Sequence, residues 1–224
     1  SFRADGLSWP FALSIAALSL TVLLTAVARP MFINSYAWAG TLALGGLGIM
    51  AVTANNPLTL LLVWGALDMA ELFIQLRSVD VPSNNEKVVA SFSTRAFGIG
   101  LLLWANTVSL AQGSAFNFEA IAPGSGLYLV AAAGLRLGVL PLHLPYSSES
   151  TLRRGLGTSL RLISAASSLV LLAHVPAGSL SSALTPFLLA LAIIAALYGG
   201  WMWLRAPDEL TGRPYWIIGL AALS

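Results

Sequence analysis

The chain has 224 residues, of which 57% are hydrophobic and only 9% charged, with a net charge of +2 and a mean hydropathy of +0.82. A soluble domain carries about 25% charged residues, so this composition indicates an integral membrane protein and excludes an ordinary water-soluble enzyme domain. There is no cysteine, which excludes a disulfide framework and a thiolate site, and the two histidines lie far apart, which argues against a histidine metal cluster; the pI near 9.3 reflects a few surplus arginines, not a nucleic-acid patch.

Crossing a bilayer takes about 20 apolar residues in a helix. Only helices or closed barrels satisfy every backbone group in lipid, and the ten-residue alternation of a barrel is absent. About eight spans are expected, at roughly 9–28, 37–54, 57–76, 88–111, 125–145, 156–175, 184–204 and from 214 onward. The loops are too short for a soluble domain or a nucleotide fold. The opening "SFRADGLSW" lacks Met and the close "WIIGLAALS" lies within an apolar run, so the chain is expected to be part of a longer polypeptide.

The first span carries Trp9 at its start. With Trp38, Trp201, Trp203 and Trp216 it suits the headgroup level, whereas Trp64 and Trp104 lie deeper. In the second span, Gly45, Gly46 and Gly48 of "LALGGLGIM" read as close-packing positions. The third, "VWGALDMAELFIQLR", holds Asp68 and Glu71 three residues apart, hence on one helix face. These acids are open to two readings, a structural ion pair or an acidic patch on a transport path. The fourth span holds Arg95 in "STRAFGIG" and the sixth holds Arg161 in "GTSLRLISAASS". Each arginine either snorkels to the nearer face or faces the protein interior, where Arg161 could join Arg153 and Arg154 in a lipid-headgroup pocket.

The fifth span is the most unusual. "GLRLGVLPLHLP" places Arg136 near the middle of an apolar run, followed by Pro141, His143 and Pro145. A charge at the bilayer centre costs at least about 2.5–3.5 kcal/mol, so such residues face protein or water and mark functional paths. The prolines are expected to break the helix, and irregular backbone at that depth lines a polar cavity in transporters. His143 serves either as a proton relay or as a partner for freed backbone groups.

Between spans, Arg29, Arg77, Lys87, Arg153, Arg154, Arg205 and Arg213 gather on one side and only Arg3 on the other. The positive-inside rule makes the first side cytoplasmic.

Taken in order, these pieces resemble the antiporter-like membrane subunits of respiratory complex I, multi-subunit cation/proton antiporters, membrane-bound hydrogenases and inorganic-carbon uptake complexes. "GLRLGVLPLHLP" resembles the family's discontinuous helix, with Arg136 at its lysine position and Pro141-Leu142-His143 matching. Asp5-Gly6-Leu7-Ser8 resembles an Asp-Gly-Leu-Ser opening, and Thr94-Arg95 a common pair on a following helix. The departures are specific. Gly65 follows Trp64 where the family has its key glutamate, making Asp68 the stand-in; Ser164 replaces a histidine; and a later lysine has no counterpart near Asp208 and Glu209. An arginine does not release its proton, so Arg136 is expected to bias Asp68 without carrying a proton itself.

The resemblance implies an all-α bundle with one discontinuous helix and inverted five-helix repeats. The chain, 1–224, would be a single transmembrane domain, with the first repeat at about 37–175 and the start of a second at about 184–224. It implies a proton or cation pathway through Asp68, Glu71, Arg136 and His143, with Arg95 and Arg161 as supporting charges and Pro141 and Pro145 at the break. The expected host is a complex I-type oxidoreductase assembly in a bacterial inner membrane or an equivalent energy-transducing membrane. Its redox chemistry would lie in other subunits, and this chain would have no catalytic centre, cofactor or metal of its own. Other membrane subunits and lipids are the expected partners, with no nucleic acid. Two alternatives stand beside this: a non-pumping structural subunit, and a partner subunit of an inorganic-carbon uptake complex.

Overall fold

The computed structural model describes residues 1–28, 35–78, 82–115, 117–118, 121–139 and 154–223. The described residues form eight α-helices: α1 (Ser8–Val27), α2 (Ser35–Val52), α3 (Pro57–Ser78), α4 (Pro82–Ala111), α5 (Ser125–Leu137), α6 (Arg154–His174), α7 (Thr185–Arg205) and α8 (Glu209–Leu223). A 3-10 turn at Ala177–Ser179 precedes α7. Six of the helices are long and apolar enough to cross a membrane, all except α5 and α8. The protein is thus a polytopic, helical integral-membrane protein.

Six of the expected eight spans are full-length helices. α5 has 13 residues, below the roughly 20 that a straight crossing needs, and α8 is described over its 15 residues up to Leu223. α8 starts at Glu209 instead of 214, because Asp208 caps it. The Asp208 carboxylate accepts the Thr211 backbone N–H at 2.8 Å and the Thr211 hydroxyl at 3.0 Å. α4 begins six residues before the expected span, at Pro82, a residue suited to a helix's first turn since it lacks the N–H that would go unbonded there.

α6 is the centre of the bundle. In its membrane-length window 67% of residues are buried, against 6% for α1 and 11% for α7. It touches α1, α2, α5 and α8, while α3 packs between α2 and α4, and α4 against α5. α2 approaches closely because two of its glycines leave room. A Cβ on Gly48 would collide with Ile163 of α6, and one on Gly45 with Ser19 of α1. Gly46, expected to serve the same purpose, faces open space. The outward faces of α1 and α7 are apolar, as Leu20, Leu24, Leu197 and Leu204 show, which suits lipid tails or the helices of neighbouring subunits. Trp104 is exposed on α4, while Trp64 is wholly enclosed.

Alternating helices place the ends of α1, α3 and α7 and the starts of α2, α4, α6 and α8 on one face, toward which the interior end of α5 points. Contacts across that face agree: Arg77 donates to Tyr36 Oη at 3.1 Å and Arg213 to Thr158 Oγ1 at 2.9 Å. This is the face where the sequence concentrates its arginines. On the opposite face the Arg3 N–H donates to the Thr53 carbonyl at 2.7 Å, and the Gly124 N–H to the Ser179 carbonyl at 3.3 Å.

α5 ends inside the segment expected to span 125–145. Gly138 takes the left-handed conformation (φ 78°), which glycine adopts without a Cβ clash. Its N–H bonds the Leu135 carbonyl at 3.3 Å, and the Val139 N–H bonds the Gly134 carbonyl at 2.9 Å. This pairing is a Schellman motif. The helix thus stops at glycine, three residues before Pro141. Pro141, His143 and Pro145 lie outside the described residues.

Candidate functional site: a buried chain of four charges

Four of the expected site residues meet in the bundle interior. Asp68 and Glu71 stand one turn apart on α3, Arg95 comes from α4 and Arg136 from the last turn of α5. All four are buried, none more than 8% exposed. The Arg136 Nη1–H donates to Asp68 Oδ2 at 2.6 Å. Arg95 pairs with Glu71, and its Nη1 also lies 3.9 Å from Asp68 Oδ1. The order along the chain of charges is therefore Glu71, Arg95, Asp68, Arg136. Among the described residues, its two acids and two bases sum to zero, the condition under which charges tolerate an apolar surrounding.

Arg136 is held from two further sides. Its guanidinium sits over the Trp64 ring, 4.2 Å from the centroid, a cation–π contact strengthened by desolvation. Its Nη2–H donates to Ser164 Oγ of α6 at 3.4 Å. Trp64 is fixed in turn, because its Nε1–H donates to Ser167 Oγ at 3.0 Å, and the Ser167 hydroxyl donates to the Ser164 carbonyl at 2.9 Å. Trp64 precedes Asp68 by four residues, so one face of α3 supplies both the carboxylate and the aromatic platform.

Satisfaction is incomplete. Asp68 Oδ1 and Arg136 Nε are enclosed without a hydrogen-bond partner among the described residues. A cavity of about 10 Å³ borders Asp68, Glu71, Gln75, Ser91 and Arg95, about the space one water occupies. It lies on the side of Asp68 toward the arginine-rich face.

The structure separates the supporting charges. Arg95 turns inward to Glu71 instead of snorkelling. Arg161 is also buried, one turn before Ser164 on α6, while the ion pairs to Asp68 and Glu71 among the described residues come from Arg95 and Arg136. The serines at 164 and 167 and the Trp64 platform were not among the expected site residues. The sequence did mark two of these positions, Ser164 where the resembled family has a histidine and Trp64 just before its key glutamate, and Ser167 lies three residues from Ser164 on α6.

The class that fold and site define is a polytopic membrane protein with a neutral, protein-enclosed chain of ionisable side chains at mid-bundle. No protein-family model and no curated protein matches the chain. The likeness to antiporter-like subunits therefore rests on the ordered motifs themselves.

Proposed function

We propose that this chain is an antiporter-like membrane subunit of a complex I-type assembly, taking part in proton or cation translocation driven by redox chemistry in other subunits. The observation that carries this reading is Asp68, a carboxylate enclosed at the middle of α3 between the guanidinium groups of Arg136 and Arg95. The arginines hold their protons permanently, so Asp68 and Glu71 are the groups of this chain of charges able to take up and release one. Protonation of either acid leaves the enclosed cluster with a net positive charge, and that imbalance is the electrostatic step a coupled pump exploits. The small cavity toward Gln75 and Ser91 supplies the approach to both acids. In this reading the membrane is a bacterial inner membrane or its equivalent, with the arginine-rich face cytoplasmic, and the partners are other membrane subunits and lipids.

One observation favours a second reading, a structural membrane subunit. The four charges already balance, and Arg136, which stands at the family's lysine position, cannot titrate. Such a cluster also serves simply to fix the register of α3, α4 and α5.

Replacing Asp68 by Asn separates the two. The chain is purified with the membrane partners that accompany it and reconstituted into vesicles, and proton uptake is followed together with electron transfer. A proton-route subunit loses uptake while its partners remain bound. Unchanged uptake in an intact assembly sinks the translocation reading and leaves the structural one.

A further inference from the structure

A second polar cluster lies on the face opposite the arginine-rich one. There a cavity of about 80 Å³ is bounded by the segment before α1, the turn between α2 and α3, the connection from α4 to α5, and the end of α6. Its polar wall consists of Arg3, Asp5, Ser8, Asn55, Asn117 and His174. Asp5 and His174 are 169 residues apart in sequence, yet His174 Nε2 lies 3.0 Å from Asp5 Oδ2. The other ring nitrogen, Nδ1, lies 2.8 Å from the Val170 carbonyl oxygen. The Phe118 ring covers the imidazole, with centroids 4.9 Å apart.

The partners determine the protonation state. A backbone carbonyl only accepts. Asp5 Oδ1 accepts the backbone N–H groups of Leu7 at 3.0 Å and Ser8 at 2.6 Å, so the group is held as a carboxylate, and its Oδ2 also only accepts. Each ring nitrogen therefore faces an acceptor, and only a ring carrying a hydrogen on both nitrogens donates to Asp5 and to Val170 together. Removing one proton leaves a bare nitrogen facing either a carboxylate or a carbonyl, and that contact turns repulsive.

We propose that Asp5 and His174 form a proton-binding site exchanging with the aqueous phase on this face. The charged ring ties Asp5 to the end of α6, and its deprotonation breaks that tie while the bonds of Ser1 and Arg3 to the α2–α3 turn remain. The leaving proton goes directly to water, for which the site is placed: the Asp5 side chain is 39% exposed and that of His174 19%. The charged groups facing the ring among the described residues are Asp5 and Arg3, both from the segment before α1. The α2–α3 turn contributes Asn55, and the connection to α5 contributes Asn117, neither of which titrates; Glu119 lies outside the described residues. The site is separate from Asp68. On α6 the serines bonded into the charge chain end at Ser167 and Ser168, and the buried Leu171 stands between them and His174. The proposal therefore holds whether or not Asp68 conducts protons.

The chain has two histidines, His143 and His174, so ring-labelled histidine gives two sets of nitrogen resonances. The variant His143→Gln assigns them. In the full chain in lipid vesicles, the His174 ring is expected to show two protonated nitrogens at pH 6 and to lose one at higher pH. In Asp5→Asn, which removes the anionic partner, the doubly protonated ring should give way at a lower pH than in the native chain. Stepping the pH on one side of sealed vesicles needs no variant, and the ring should follow only the side that carries the start of α1. A neutral ring at pH 6, a titration unchanged by Asp5→Asn, or a response to the other side would each overturn the proposal.

Discussion

Arg136 Nη1 stands 2.6 Å from Asp68 Oδ2, with the two side chains 0% and 1% exposed. Transferring either charge alone out of water is costly, and the pair survives there because each neutralises the other. The geometry makes α3 and α5 interdependent, and α4 joins them because Arg95 lies between Asp68 and Glu71.

This interdependence is measurable by a double-mutant cycle. Asp68→Asn leaves an extra enclosed cation, and Arg136→Met leaves an enclosed anion whose remaining cation, Arg95, is already paired with Glu71. Each single variant should lose about 3–5 kcal/mol of stability. The double variant restores neutrality and should lose at least about 2 kcal/mol less than the sum. Denaturant unfolding in mixed micelles checks this; simple additivity would show that the pair is not coupled.

Trp64 offers a second test, because two of its functions can be removed separately. Trp64→Phe keeps an aromatic face under Arg136 but deletes the Nε1–H that bonds Ser167. Ser167→Ala keeps the ring but leaves that N–H buried without an acceptor. Each should cost about 1–3 kcal/mol, and combining them should cost little more than one alone, since the second change removes a partner already lost. Full additivity in the same unfolding assay would rule out the bond as their common cause.

Much of this arrangement was legible in the sequence. Charges are so expensive at mid-span that Asp68, Glu71, Arg95 and Arg136 were conspicuous, and i, i+3 spacing put the two acids on one face. The sequence did not reveal which arginine takes which acid, since that depends on how α4 and α5 lean against α3. The end of α5 was assigned to proline, but the earlier Gly138 terminates the helix because its left-handed backbone closes a Schellman motif. Equal glycines also proved unequal, as Gly46 points away from every neighbour while Gly48 meets α6. The pairing of Asp5 with His174 had no local signal at all. Its partners are almost a whole chain apart, and only the alternation of helices brings the segment before α1 to the end of α6.

The glycine distinction gives a third test. Gly48→Val must push Ile163 out of the core shared by α1, α2 and α6, where overpacking typically costs about 1–3 kcal/mol. Gly46→Val adds its side chain where nothing lies within 4 Å, so its effect should stay within about 0.5 kcal/mol. Thermal unfolding of the two variants in the same detergent should rank them clearly. Equal losses would mean that α2 presents a different face to α6.

Asp5 makes a prediction on the acid side. The pair Asp5 and Ser8 bond reciprocally, with the Asp5 N–H donating to Ser8 Oγ at 2.9 Å and the Ser8 N–H to Asp5 Oδ1 at 2.6 Å. This reciprocal pair closes the turn that leads into α1, and it gives the Asp-Gly-Leu-Ser run a local structural reason. The Ser8 backbone N–H, chiefly, holds the Asp5 carboxyl well below the usual aspartate value of 3.8, and the Ser8 hydroxyl and His174 add to the effect. A carboxyl depressed in the folded state contributes stability above its unfolded value and loses it as the pH falls through the folded one. The start of α1 should therefore stay fastened from pH 6 down past 3.8 and loosen only below that. Hydrogen exchange at the Leu7 and Ser8 amides, corrected for intrinsic rates, checks this. Protection should remain level from pH 6 to about 4 in the native chain, and should be lower throughout in Asp5→Ala, which lacks the acceptor. Loss of protection already at pH 5 would show that the carboxyl is not held by these bonds.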